Sequence, residues 1–71
     1  MEVFVFRTGI NNHEHIHRIA PKLNSLSGVH KWSFDLDDHE NILRIEAVGI
    51  SPRSIEDTLS RENYYCEELP D

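Results

Sequence analysis

The chain reads as an α+β domain with element order βαββαβ, a four-stranded antiparallel sheet carrying two helices on one face. Three observations lead there. Four segments rich in β-branched or aromatic residues alternate with two segments of helical apolar spacing. The second and third β segments are joined by a short polar turn, as in a hairpin. Each helical segment is apolar on one side only, which calls for a single sheet face beneath it.

The first strand is Val3 to Phe6, bounded by Thr8-Gly9. Phe4 and Phe6 share the face expected to meet the core, and Val3 and Val5 share the other. Asn11, with Glu14 three residues on, fits a capping box that opens the first helix. Ile16, Ile19, Ala20, Leu23 and Leu26 form its apolar stripe, and Glu14 and Arg18 make a favourable i,i+4 pair on the opposite side. Pro21 removes the donor for the carbonyl of His17, but it lies toward the solvent side of the wheel, so a bend is expected and not a break. Gly28 stands where a C′ glycine would close the helix.

Val29 to Leu36 is the second strand, with Trp32, Phe34 and Leu36 alternating against Ser33 and Asp35. Residues 37–41 form a polar turn. Ile42 to Val48 returns as the third strand, with Leu43, Ile45 and Ala47 opposite Arg44 and Glu46. Ser51-Pro52 supplies an N-cap and a first-turn proline for a short helix through Ile55 and Leu59 to about Arg61. The last strand spans Asn63 to Leu69, with Tyr64 and Cys66 on one face and Tyr65 and Glu67 on the other. This is the ferredoxin-like βαββαβ sandwich. It places Phe4, Phe6, Trp32, Phe34, Leu43, Ile45 and Tyr64 against the helical stripes.

Composition narrows the function. Seventy-one residues make one domain, residues 1–71, with no room for a large enclosed active site. A net charge of −6 argues against nucleic acid, which needs a basic face. The apolar runs are too short for membrane insertion, and no secretory signal is evident. One cysteine, Cys66, cannot make an intramolecular disulfide, which points to a reducing, cytoplasmic setting. The charge is polarised within the domain: residues 1–34 carry two acids and four bases, and residues 35–71 carry eleven acids and three bases.

The loop Thr8-Gly9-Ile10-Asn11-Asn12-His13-Glu14-His15-Ile16 resembles, in length and position, the metal loop of heavy-metal-associated, copper-chaperone-like domains, a βαββαβ family with Gly-Met-x-Cys-x-x-Cys between its first strand and helix. Gly9-Ile10 stands where that family has Gly-Met, and Asn12 and His15 stand where it has its cysteines. Leu26-Ser27-Gly28-Val29, Trp32, Phe34 and Asn63-Tyr64 match its Gly-Val turn, second-strand alternation and last-strand aromatic. The resemblance implies a metal-handling scaffold, but its one specific functional signal, Cys-x-x-Cys, is absent. Soft thiolates select Cu(I), whereas asparagine is a poor ligand for soft ions and imidazole favours Zn, Cu(II) or Ni. Cys66, facing the core, is read as structural.

The candidate metal residues are therefore His13, His15 and His17. His13 and His17 have the i,i+4 spacing of helical metal ligands and differ by about 40° on the wheel, whereas His15 lies about 160° or more from either. A regular helix cannot bring all three to one ion, so the expected site is weak and exchangeable, or His13 and His17 are a solvated flank and His15 packs over the stripe's edge. His30 and His39 are expected on the surface. Enzymatic readings lack parts: there is no Gly-x-Ser-x-Gly, phosphate loop or His-Glu-x-x-His. Asp35, Asp37, Asp38 and Glu40 lack the glycine and terminal glutamate of a calcium loop and read as a solvated turn.

The outer sheet face would show Val3, Val5 and Tyr65 among charged residues, a candidate interface for a protein partner or a two-fold homodimer. The acidic tail Glu67 to Asp71 would fray or meet a basic partner. The resulting reading is a small non-enzymatic binding protein, a metal-binding or metal-transport accessory with a His-containing loop in place of Cys-x-x-Cys. Its alternative is a protein-interaction module that kept the scaffold and lost the metal.

Overall fold

A computed structural model describes residues 1–70. The order is β1 (Glu2–Thr8), α1 (His13–Asn24), β2 (Val29–Asp35), β3 (Ile42–Ala47), α2 (Pro52–Arg61) and β4 (Cys66–Glu68). The sheet order is β2-β3-β1-β4, and all three pairings are antiparallel. The ferredoxin-like α+β arrangement expected from the sequence is the fold of the chain.

Alternation along β1 and β3 builds the floor of the core. Phe4 pairs across from Ile45 and Phe6 from Leu43, and these four with Ala47 are buried. Ile19 and Leu23 of α1 and Ile55 and Leu59 of α2 close over them, joined by Ile10 from the β1–α1 loop, so both helices cover one sheet face. Trp32 and Phe34, expected inside, are half-buried at the rim, because β2 is an edge strand with no neighbour to cover its outer side. Tyr64, also expected inside, is half-buried in the segment that leads into β4, the opposite edge strand. Trp32 satisfies its indole N–H there by donating to the Asn24 side chain at 2.8 Å.

Four local details differ from the sequence expectation. The N-cap of α1 is Asn12, not Asn11: its backbone is extended (φ −155°) and its Oδ1 accepts from the His15 amide at 2.9 Å. Either asparagine has the chemistry; the backbone at Asn12 turns the side chain toward the first turn. Glu14 is thereby released from a capping box and accepts from the Arg18 guanidinium at 2.9 Å. Gly28 is not the C′ residue either, since α1 ends at Asn24 with Ser25 as its cap. Its φ of +97° serves a close approach, because a Cβ there would lie 2.4 Å from the Val48 carbonyl oxygen.

The last strand is also shorter than Asn63 to Leu69. Asn63 takes φ +67°, its amide donates to the Ser60 carbonyl at 2.9 Å, and the Tyr64 amide reaches back to Leu59 at 3.0 Å. That is a Schellman closure of α2 with asparagine at C′, so residues 63 and 64 belong to the helix terminus and pairing begins only at Cys66. α1 continues through Pro21, which is exposed, to Asn24. The N-cap of α2 is Ser51 with Pro52 behind it, as expected. Asp71 of the acidic tail lies outside the described residues.

Candidate functional site

β1 ends beside the turn between β2 and β3 and the residue that precedes β4, and hydrogen bonds bind the three together. The buried Thr8 hydroxyl donates to the Asn41 carbonyl at 2.7 Å and accepts from the Ile10 amide at 3.2 Å. The Gly9 amide donates to the Tyr65 carbonyl at 2.9 Å, and the Thr8 amide to the Glu40 carbonyl at 3.3 Å. This end of the sheet therefore has a fixed shape in which the β1–α1 loop, the β2–β3 turn and Tyr65 are neighbours. A shallow cleft of about 400 Å³ opens here, lined by Arg7, Thr8, His39, Glu40 and Tyr65.

The expected metal residues do not converge in the loop. Asn12 spends its side-chain oxygen on the His15 amide. The His15 ring is half-buried and lies tilted against Tyr64, with centroids 5.3 Å apart, and its Nδ1 is shielded from water without a hydrogen-bond partner. The two positions that match the family's cysteines thus cap a helix and pack against an aromatic ring, an arrangement that does not fit a two-coordinate soft ion. His13 and His17 are exposed on α1, one turn apart. Cys66 cannot substitute for the missing thiolates, because its partial burial, with Glu56 nearby, pushes the thiol up to about 12.

Among the described residues, three ligand-type side chains do come together elsewhere. Asp38, His39 and Glu40 in the β2–β3 turn can offer one donor atom each within 4.8 Å of one another. The turn itself places them. The Asp38 side chain accepts from the Glu40 amide at 2.8 Å, the Asp35 side chain accepts from the Asp37 amide at 3.1 Å, and Asn41 closes the turn at φ +53°. His39 projects into solvent, 94% exposed, with its Nδ1 3.9 Å from Asp38. The sequence expectation of a solvated turn describes Asp35 to Glu40 well, but it assigned His39 no neighbours. The signal that was available is the run Asp-His-Glu at the tip of a hairpin whose base is fixed.

Glu40 is already engaged. Arg7 Nε donates to it at 2.8 Å, and the same guanidinium lies 3.5 Å from Glu67, whose carboxylate accepts from the Tyr65 hydroxyl at 2.9 Å. The Arg7 guanidinium is raised above its ordinary value, chiefly by the hydrogen bond it donates to Glu40, and the Tyr65 phenol is raised chiefly by its hydrogen bond to Glu67. Both groups therefore hold their protons at neutral pH. Of the expected interface residues, Val3 and Val5 lie together on the outer face of β1, while Tyr65 lies at the far end of that face beyond Arg7.

No family model and no curated protein sequence matches the chain. A solved structure described as "Crosstalk between Cu(I) and Zn(II) homeostasis" superposes with a TM-score of 0.83, covering 97% of this chain and 100% of that one at 14% sequence identity. That likeness establishes the fold. No described helix is long and apolar enough to cross a membrane.

Proposed function

We propose that this chain is a small, non-enzymatic metal-handling domain that takes a divalent transition ion through nitrogen and oxygen donors. The observation that carries the reading is the Asp38–His39–Glu40 group at the sheet end that also holds the β1–α1 loop. Support comes from the shared fold with a protein of copper and zinc homeostasis. One imidazole and two carboxylates suit Zn(II), Cu(II) or Ni(II) better than Cu(I), which prefers the sulfur donors this loop lacks. His13 and His17 form a second, two-imidazole station on α1. An exposed set of three donors, one of them shared with Arg7, binds weakly and releases readily, which suits buffering or passing on an ion and not holding one permanently.

Calorimetric titration with Zn(II), Cu(II), Ni(II) and Cu(I) tests this. Micromolar binding of the divalent ions is expected, reduced at least about tenfold by His39→Ala. A smaller loss is expected for the His13→Ala/His17→Ala pair, and Cu(I) should bind more weakly than the divalent ions in the presence of a competing thiol. The absence of binding by every ion would sink the proposal.

A further inference from the structure

We infer that the outer sheet face is the contact surface of a two-fold homodimer, centred on the end of the sheet opposite the cleft. Among the described residues four large hydrophobic side chains are exposed, Met1 at 72%, Val3 at 53%, Val48 at 51% and Tyr65 at 54%. Three of them lie at the end of the sheet where β1 begins and β3 ends. Val3 faces outward from β1, and Val48 is the exposed residue that follows the buried Ala47 at the end of β3. Continuing the register that pairs Glu2 with Ala47 sets Met1 beside Val48. Val5 extends the patch along β1, and the Leu69 amide donates to its carbonyl at 2.8 Å. Helices cover the other side of the sheet, so this face is the one left bare.

Charge selects the occupant. The outward charged residues of the strands are Arg7, Lys31 and Arg44 against Asp35, Glu46 and Glu67. The signs balance on this face, so it contributes nothing to the net charge of −6. A basic partner would be drawn to the helical side and the turns, and a nucleic acid or anionic lipid would find no excess of positive charge here. A second copy meets an equal number of both signs around an apolar centre, which is the self-complementarity that a two-fold interface requires. The molecule measures 28 × 26 × 18 Å, so no face of it exceeds about 28 × 26 Å. A face of that size is close to the roughly 800 Å² per partner of a standard specific interface, so nearly the whole face must engage and a weak dimer follows.

Sedimentation equilibrium from micromolar to millimolar concentration, with and without EDTA, tests the inference. The average mass should climb toward twice that of the monomer, equally in both conditions. Val3→Asp/Val48→Asp should raise the dissociation constant at least about tenfold with the circular dichroism spectrum unchanged. Arg44→Glu should weaken the dimer by unbalancing the face, and Arg44→Glu/Glu46→Arg should restore it. A monomer throughout, or a dimer indifferent to Val3→Asp/Val48→Asp, overturns the interface. So does a dimer that dissociates in EDTA, since an ion then bridges the copies. A dimer that persists while every metal titration is silent keeps the interface and removes only the metal proposal.

Discussion

The two ends of the sheet are built on opposite principles. Where β1 ends, polar groups satisfy one another: Thr8 bridges Ile10 and Asn41, Arg7 holds Glu40 and Glu67, and Tyr65 donates to Glu67. Where β1 begins, backbone packs against backbone at Gly28, and Val3 and Val48 are left uncovered. A ligand arriving at the first end must compete with internal hydrogen bonds, which favours weak and exchangeable binding of an ion. A partner arriving at the second end displaces water from an apolar centre without breaking internal hydrogen bonds, and the balanced charges around that centre then set the fit.

Breaking the apolar end should have the largest effect. Gly28→Ala puts a Cβ against the Val48 carbonyl and strains a positive φ, and should lower unfolding free energy by about 3 kcal/mol in urea denaturation. At the polar end, Thr8→Val keeps the shape of a buried side chain but removes the hydroxyl shared by Ile10 and Asn41. A loss of about 2 kcal/mol is expected, with faster amide exchange at Ile10. Asn12→Ala deletes the cap of α1 and should cost about 1 kcal/mol, whereas Asn11→Ala should be close to neutral by the same thermal melts.

The Cys66 thiol sharpens the comparison through pH. Its folded value of about 12 exceeds the ordinary 9.0, so the folded chain holds this proton more tightly than the unfolded chain. The associated stability is complete below about pH 9 and is lost as pH rises toward 12. At pH 7 to 8 the folded thiol should react with a disulfide reagent far more slowly than the same thiol in urea. The smallest effect on stability belongs to Arg7→Gln, since its ion pairs are exposed and the melting temperature should not move measurably. The same change frees Glu40, so divalent-ion affinity in calorimetry should rise several-fold. An unchanged or weaker affinity would place the ion elsewhere.

Much of the fold was legible in the residues. Phe4, Phe6, Leu43 and Ile45 announce their inward face by period-two alternation, and Ile19, Leu23, Ile55 and Leu59 by helical spacing, because those periods are properties of the backbone itself. Ser51-Pro52 marked a helix start because the cap is made within four residues. Asn11 and Asn12, by contrast, are chemically alike, and no local rule chooses between them. Asn63 reads equally as a strand residue or a C′ cap, and its left-handed φ settles the matter only once α2 has ended at Arg61. The candidate site was less legible. His13, His15 and His17 drew attention as a cluster along the chain, whereas Asp38, His39 and Glu40 acquire meaning from the turn that gathers them and from Thr8, Arg7 and Tyr65, which arrive from distant positions.

The sequence alone determined the order of elements, most of the inward faces and the absence of paired thiolates from the loop after β1, since each follows from local periodicity or from the identity of a residue. Only the tertiary structure decided that His15 packs on Tyr64, that Arg7 occupies Glu40, and that Val3 and Val48 share one end of the sheet while Tyr65 stands at the other. Those are relations between residues far apart in the chain. Packing of α1 against the segment before β4 sets the first and the seating of the β2–β3 turn beside β1 the second. Strand register sets the third, since a shift of one residue would turn Val3 to the other face.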